Sequence, residues 1–276
     1  MEVLINELSL DGQFIDEDDF FNNLTEVLYL IKIFDELDID LLKEYCFFNS
    51  QITSSLTLLE LLKSKRNEIR RLKSLLAKLV NNPPFWNATQ KHLSTDRYEY
   101  NSINILNSSV AESCERDKVI LSFKHDSYLD NTLNIYKNKN LIKIFNIINH
   151  IEFFDFLYSK SLIMIKEYCL VRFKNTNLNF ELLDDKNSFN ILNDEQSSIF
   201  LDTFIFFSEM NWENISKSDS LRYKEYNGDW FKNTKYSNQR IDKFRISAKY
   251  RCFGFKKDNI FNVLRFEVNH KKSDNG

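Results

Sequence analysis

The residues best suited to chemistry lie late in the chain: Arg245, Arg251, His270 and Lys271, flanked by Lys243, Lys249, Tyr250 and Lys272. Cleaving RNA through its own 2′-hydroxyl needs a base, an acid and cations that offset charge on the transferring phosphate. A cluster of Arg, Lys and His with one Glu can fill those roles without a metal ion. Tyr223, Tyr226, Trp230, Phe231 and Tyr250 offer faces on which exposed bases can stack. Charge points the same way. Residues 217–276 hold fifteen Lys/Arg against seven Asp/Glu, a net +8 on a chain whose total is −3. One end is therefore suited to a polyanion, or to being held by the acidic remainder.

Strands must position these cations. Segment 243–247 alternates basic or polar with apolar residues, and 250–255 and 260–268 flank the polar turn 256–259, which reads as a hairpin. Alternation puts Arg251, Phe253 and Phe255 on one face of their strand, with Cys252 and Gly254 on the other. The same rule puts Leu264, Phe266 and Val268 on one face of the last strand, opposite Arg265 and Glu267.

Residues 243–245, 249–255 and 263–272, about a fifth of the chain, resemble the core of the RelE/ParE/HigB toxin superfamily. The shared pattern is a strand Arg, a hairpin, a further strand and a His-Lys ending. The resemblance implies a small twisted antiparallel sheet whose basic surface grips RNA, often on the ribosome. It also implies that Arg245, Arg251, His270 and Lys271 form the catalytic set, with Lys243, Lys249, Tyr250 and Lys272 contacting nucleic acid. An antitoxin is the matching protein partner, and phage defence is a role associated with such toxin-like proteins.

Upstream, residues 1–8 read as a strand, and Asp16–Asp19 as the acidic start of a helix whose apolar face is Phe20, Leu24, Val27, Leu28, Ile31 and Phe34. A short helix is expected over 41–48. A long one is expected from a Thr53 or Ser54 cap to Asn81, with a seam of Leu58, Leu62, Ile69, Leu72, Leu76 and Leu79. Its other face carries Lys63, Arg66, Arg70, Arg71, Lys73 and Lys78. Ser108 or Ser109 with Glu112 resembles a capping box. A buried strand follows over 119–123, then helices over 145–164 and 194–210, the second capped near Asn193. Residues 174–193 read as a loop with a short strand. The expected class is α+β, with a helical N-terminal part and a small C-terminal antiparallel sheet, in three regions: 1–82, 83–216 and 217–276.

Composition excludes several classes. The four glycines, Gly12, Gly228, Gly254 and Gly276, are too far apart for a phosphate-cradling loop, so no nucleotide cofactor is expected. Four scattered cysteines and four scattered histidines make neither CxxC nor HExxH, so no metal site is expected. The most apolar stretch, 141–165, includes Lys143, His150, Glu152, Asp155 and Lys160, too many charges for a membrane span. A cytoplasmic location is the default for such a chain. Three readings result. The first is a toxin-like effector binding or cleaving RNA, its acidic N-terminal region docking on the basic sheet or on a partner. The second is a non-catalytic interaction protein using the 58–79 helix. The third is a metal-dependent DNA nuclease built on Glu112, Glu115 and Asp117.

Overall fold

The strand expected at the chain start is β1 (Glu2–Asn6), which sits between β2 (Asp40–Leu42) and β7 (Val119–Ser122). The computed structural model describes residues 1–63 and 70–272 and divides into two units, Met1–Phe153 and Phe154–Gly276. Expected boundaries at 82 and 216 fall inside these units; the first is spanned by the pairing of β1 with residues 120–122.

In the first unit, α1 (Glu17–Glu36) connects β1 to β2, and Asp16 caps it by accepting from the Asp19 N–H at 2.9 Å. Where a helix was expected over 41–48, β2 and a single 3-10 turn (Phe47–Asn49) are found. The hairpin of β3 (Gln51–Thr53) and β4 (Leu56–Thr57) follows, then α2 (Leu58–Lys63) and α3 (Arg70–Asn81). Thr57, rather than Thr53 or Ser54, starts α2: its hydroxyl accepts from Glu60 N while Glu60 Oε2 accepts from Thr57 N. Leu58, Leu76 and Leu79 are buried in the unit's own interior. Arg66 and Ile69 of the expected long helix lie outside the described residues.

Next come β5 (Tyr98–Tyr100), β6 (Ile103–Asn104), α4 (Ser109–Cys114), β8 (Thr132–Lys137) and β9 (Asn140–Ile147). The helix expected over 145–164 is thus partly strand: β-branched alternation claims 140–147, and α5 (His150–Ser159) begins only after it. The sheet order is β2-β1-β7-β9-β8-β5-β6, seven strands in all. A large sheet therefore spans residues 2–147, in addition to the small C-terminal sheet that was expected. The first four strands are parallel, and β8, β5 and β6 extend them antiparallel. Leu4 and Ile120 pack with Val110, Ala111 and Cys114 of α4 on one side. Val3, Ile5 and Leu121, equally buried, must face the other side.

The second unit contains α6 (Ile165–Arg172), β10 (Leu178–Asn179), α7 (Asp194–Ser208), α8 (Trp212–Lys217) and β11 (Lys224–Glu225). Its last strands are β12 (Asp242–Arg245), β13 (Arg251–Lys257) and β14 (Ile260–Glu267). Asn193 caps α7 as expected, accepting from Gln196 N at 2.9 Å. Strand order is β10-β14-β13-β12-β11, antiparallel except for β10 with β14. Asp258 and Asn259, both at positive φ, make the two-residue hairpin turn.

One face of this sheet meets α7, where Phe204 and Phe207 pack against Phe244 and Phe200 against Phe266. The other meets Tyr226, Trp230 and Phe231, which gather on Phe253. A register shift at Phe253/Gly254 departs from the expected alternation. It leaves Leu264 as the extra residue, packed with Phe253, while Phe266 turns to α7. Gly254 is required at this bulge: a Cβ there would lie 2.1 Å from the Asn262 carbonyl oxygen. Gly254→Ala is expected to cost about 1–3 kcal/mol, read as a lowered denaturation midpoint.

Candidate functional site

Register fixes which cations meet. In one row across the sheet Arg245 stands opposite Arg251, which stands opposite Glu267; in the next, Lys243 stands opposite Phe253, which stands opposite Arg265. Pleating puts all of these side chains on the face covered by the 226–241 segment. The register therefore puts Arg245, Arg251, Glu267 and Lys243 in neighbouring positions on one face.

Their accessibility differs. Arg251 is buried, donating from Nη1 to the carbonyls of Ser247 at 2.7 Å and Tyr250 at 2.8 Å, while its Nη2 lies 2.6 Å from His270 Nε2. Guanidinium nitrogens only donate, so His270 Nε2 accepts here. Arg245 is half-buried, and its Nε is enclosed with no hydrogen-bond partner. Lys243 is 3% exposed, with its ammonium 5.3 Å from the Tyr226 ring centre, so it serves the interior rather than a surface ligand. Tyr250 stacks on Phe200 and accepts from Gln196, which commits its ring to α7. Lys249, Lys271 and Lys272 are exposed. Lys272 is held at its backbone, where its N–H donates to Glu267 and its carbonyl accepts from Tyr226.

Beside this row opens a cleft of about 380 Å³ lined by Tyr226, Asp229, Trp230, Thr234, Arg265 and Lys272, among others. Arg265 was assigned no role in the sequence reading. It donates to Asp184 Oδ2 at 3.0 Å and to the Trp230 carbonyl at 2.8 Å, with its guanidinium 5.2 Å from the Trp230 ring centre. The signal for it was present in the strand alternation, but the bulge hid which face it shares. Burial raises the phenols of Tyr226 and, helped by a hydrogen bond to Asp242, Tyr223, so both stay neutral donors at ordinary pH.

The chain matches no protein-family model, no curated protein and no solved structure.

The carboxylates considered for a metal-dependent nuclease have other work. Glu112 is wholly buried and accepts from Lys91 N, His92 N, His92 Nδ1 and Arg116 Nε. Glu115 accepts from the Tyr98 hydroxyl and Lys137, and Asp117 from the Glu2 N–H. Among the described residues no group of three His, Cys, Asp or Glu side chains is gathered as metal ligands. Nor is any described helix long and apolar enough to cross a membrane.

Proposed function

We propose that the C-terminal unit binds single-stranded RNA, as part of a toxin-like effector. One observation carries this reading: the cleft that sets the half-buried Trp230 beside Arg265 and Lys272. Aromatic faces with adjoining cations are what an unpaired base and its phosphate require, and stacking tolerates any base. Binding is favoured over cutting because His270 Nε2 is engaged by Arg251 and so is not free to take a proton from a 2′-hydroxyl. The second reading, metal-independent cleavage, draws on that same pair with Glu267 opposite it in register.

Fluorescence anisotropy with a labelled oligouridine tests the proposal. Trp230→Ala is expected to weaken binding roughly 5- to 100-fold, the worth of one stacked base. Lys272→Glu should lower the dependence on salt by about one phosphate contact. Affinity untouched by both substitutions would sink the proposal. RNA cut in the presence of EDTA, and spared by His270→Ala, would replace it with the second reading.

A further inference from the structure

The parallel part of the first unit's sheet has its strand order reversed about β1 and β7: β1 crosses to β2 through α1, and α4 leads into β7. In open α/β sheets the crevice beyond the carboxyl ends of such strands is where ligands bind. There a cleft of about 560 Å³ opens, the size of a small-molecule site. Glu7 follows β1, Glu44 follows β2, and His125 and Tyr128 follow β7; Asp11 and Tyr100 complete the wall.

The chemistry of this wall is one-sided. Among the described residues no lysine or arginine lines the cleft. Glu7 Oε1 accepts from Ser109 N at 2.9 Å, but Oε2 is shut away from solvent and has no partner. Burial, with Glu44 adding to it, pushes the Glu7 carboxyl up to about 7, and burial also raises Glu44. Tyr100 and Tyr128 stack with ring centres 5.3 Å apart, and the His125 ring packs on Tyr128 at 5.6 Å. Carboxylates repel a phosphate or a carboxylate ligand, whereas acids together with aromatic rings are the recognition set for an alkylammonium or guanidinium group.

We propose that this cleft binds an organic cation, an amine or guanidinium, whose N–H groups are met by Glu7, Glu44 and Asp11 beside Tyr100 and Tyr128. This site is independent of the RNA reading, which concerns the other unit. The groups around Glu7 are Glu44 and Asp11 from the loops after β2 and β1, His125 and Tyr128 from the segment after β7, Tyr100 from β5, and the Ser109 N–H from α4. A bound cation favours ionised Glu7, so binding releases a proton below about pH 7 and tightens as pH rises from 6 to 8.

Titration calorimetry on the full chain with agmatine, putrescine and spermidine tests this, with inorganic phosphate and glutarate as anionic counterparts. At least one of the cations is expected to bind at pH 8 with Kd below about 1 mM. Both anions should give no heat, and the measured heat near pH 6.5 should vary with the ionisation enthalpy of the buffer. Glu7→Gln retains the acceptor for Ser109 N, and it should weaken the cation at least about tenfold. Glu44→Gln supplies a second variant. Three silent cations, tighter binding of phosphate or glutarate, or wild-type affinity in cooperatively melting Glu7→Gln and Glu44→Gln would each overturn the proposal.

Discussion

Glu112→Ala is expected to destabilise the N-terminal unit by about 3–5 kcal/mol, the range for stripping one partner from a buried ion pair. The side chain is 0% exposed, yet it accepts from four donors: Lys91 N, His92 N, His92 Nδ1 at 2.6 Å and Arg116 Nε at 2.7 Å. Arg116 is held further by Glu2 and by Thr89, and its own side chain is 1% exposed. Without Glu112, two backbone N–H groups and part of a guanidinium would stay buried with nothing to accept them. Urea denaturation of the wild type and variant measures the loss. Arg116→Met should cost less in the Glu112→Leu background than in the wild type, because its buried charge partner is already gone. A loss under about 1 kcal/mol in Glu112→Ala would mean that water enters and replaces the carboxylate.

Glu7→Gln is expected to act in the opposite direction, stabilising the protein at alkaline pH. Glu7 titrates near 7 in the folded chain against an ordinary 4.5, so the native state holds the extra proton between those values. Wild-type stability therefore falls as pH climbs from about 4.5 to 7, by roughly 3 kcal/mol at most, since each pKa unit is worth about 1.4 kcal/mol. Glutamine has no proton to lose. The variant's advantage should be near zero at pH 4, grow through the window and level off by pH 8. Thermal melts across that range read it directly. An advantage independent of pH would place the effect in packing rather than in ionisation.

Local signals were the legible part of this sequence. Asp16 and Asn193 cap helices where acidic or amide residues precede an apolar period, and the hairpin of β13 and β14 follows from alternation around Asp258-Asn259. The seven-stranded sheet was hidden because its outer members are two or three residues long and their partners are remote: β1 pairs with 40–42 and 120–122. Ser108 does start α4, yet Glu112 leaves its expected capping role to hold residues 91 and 92, which no spacing rule anticipates. In the candidate RNA site, strand periodicity accounts for Arg245 standing beside Arg251, whereas His270 lies past the end of β14 at positive φ and no periodicity places it. The enclosure of Lys243 and Arg251 could not be read from periodicity either, since it depends on the 226–241 segment covering the same face. The acidic cleft around Glu7 escaped the sequence reading altogether. Its residues come from separate loops and meet only through the order of the strands.

The interior place of β1, between β2 and β7, constrains how a ribosome can deliver this unit. Strand β1, hydrogen-bonded on one side to 40–42, must leave its other edge unsatisfied until 120–122 have been synthesised. During that interval the nascent chain exposes an apolar strand, Val3-Leu4-Ile5, to any neighbouring polypeptide. Slowed translation between residues 7 and 119 should therefore raise aggregation of the newly made protein, whereas slowing beyond 150 should not.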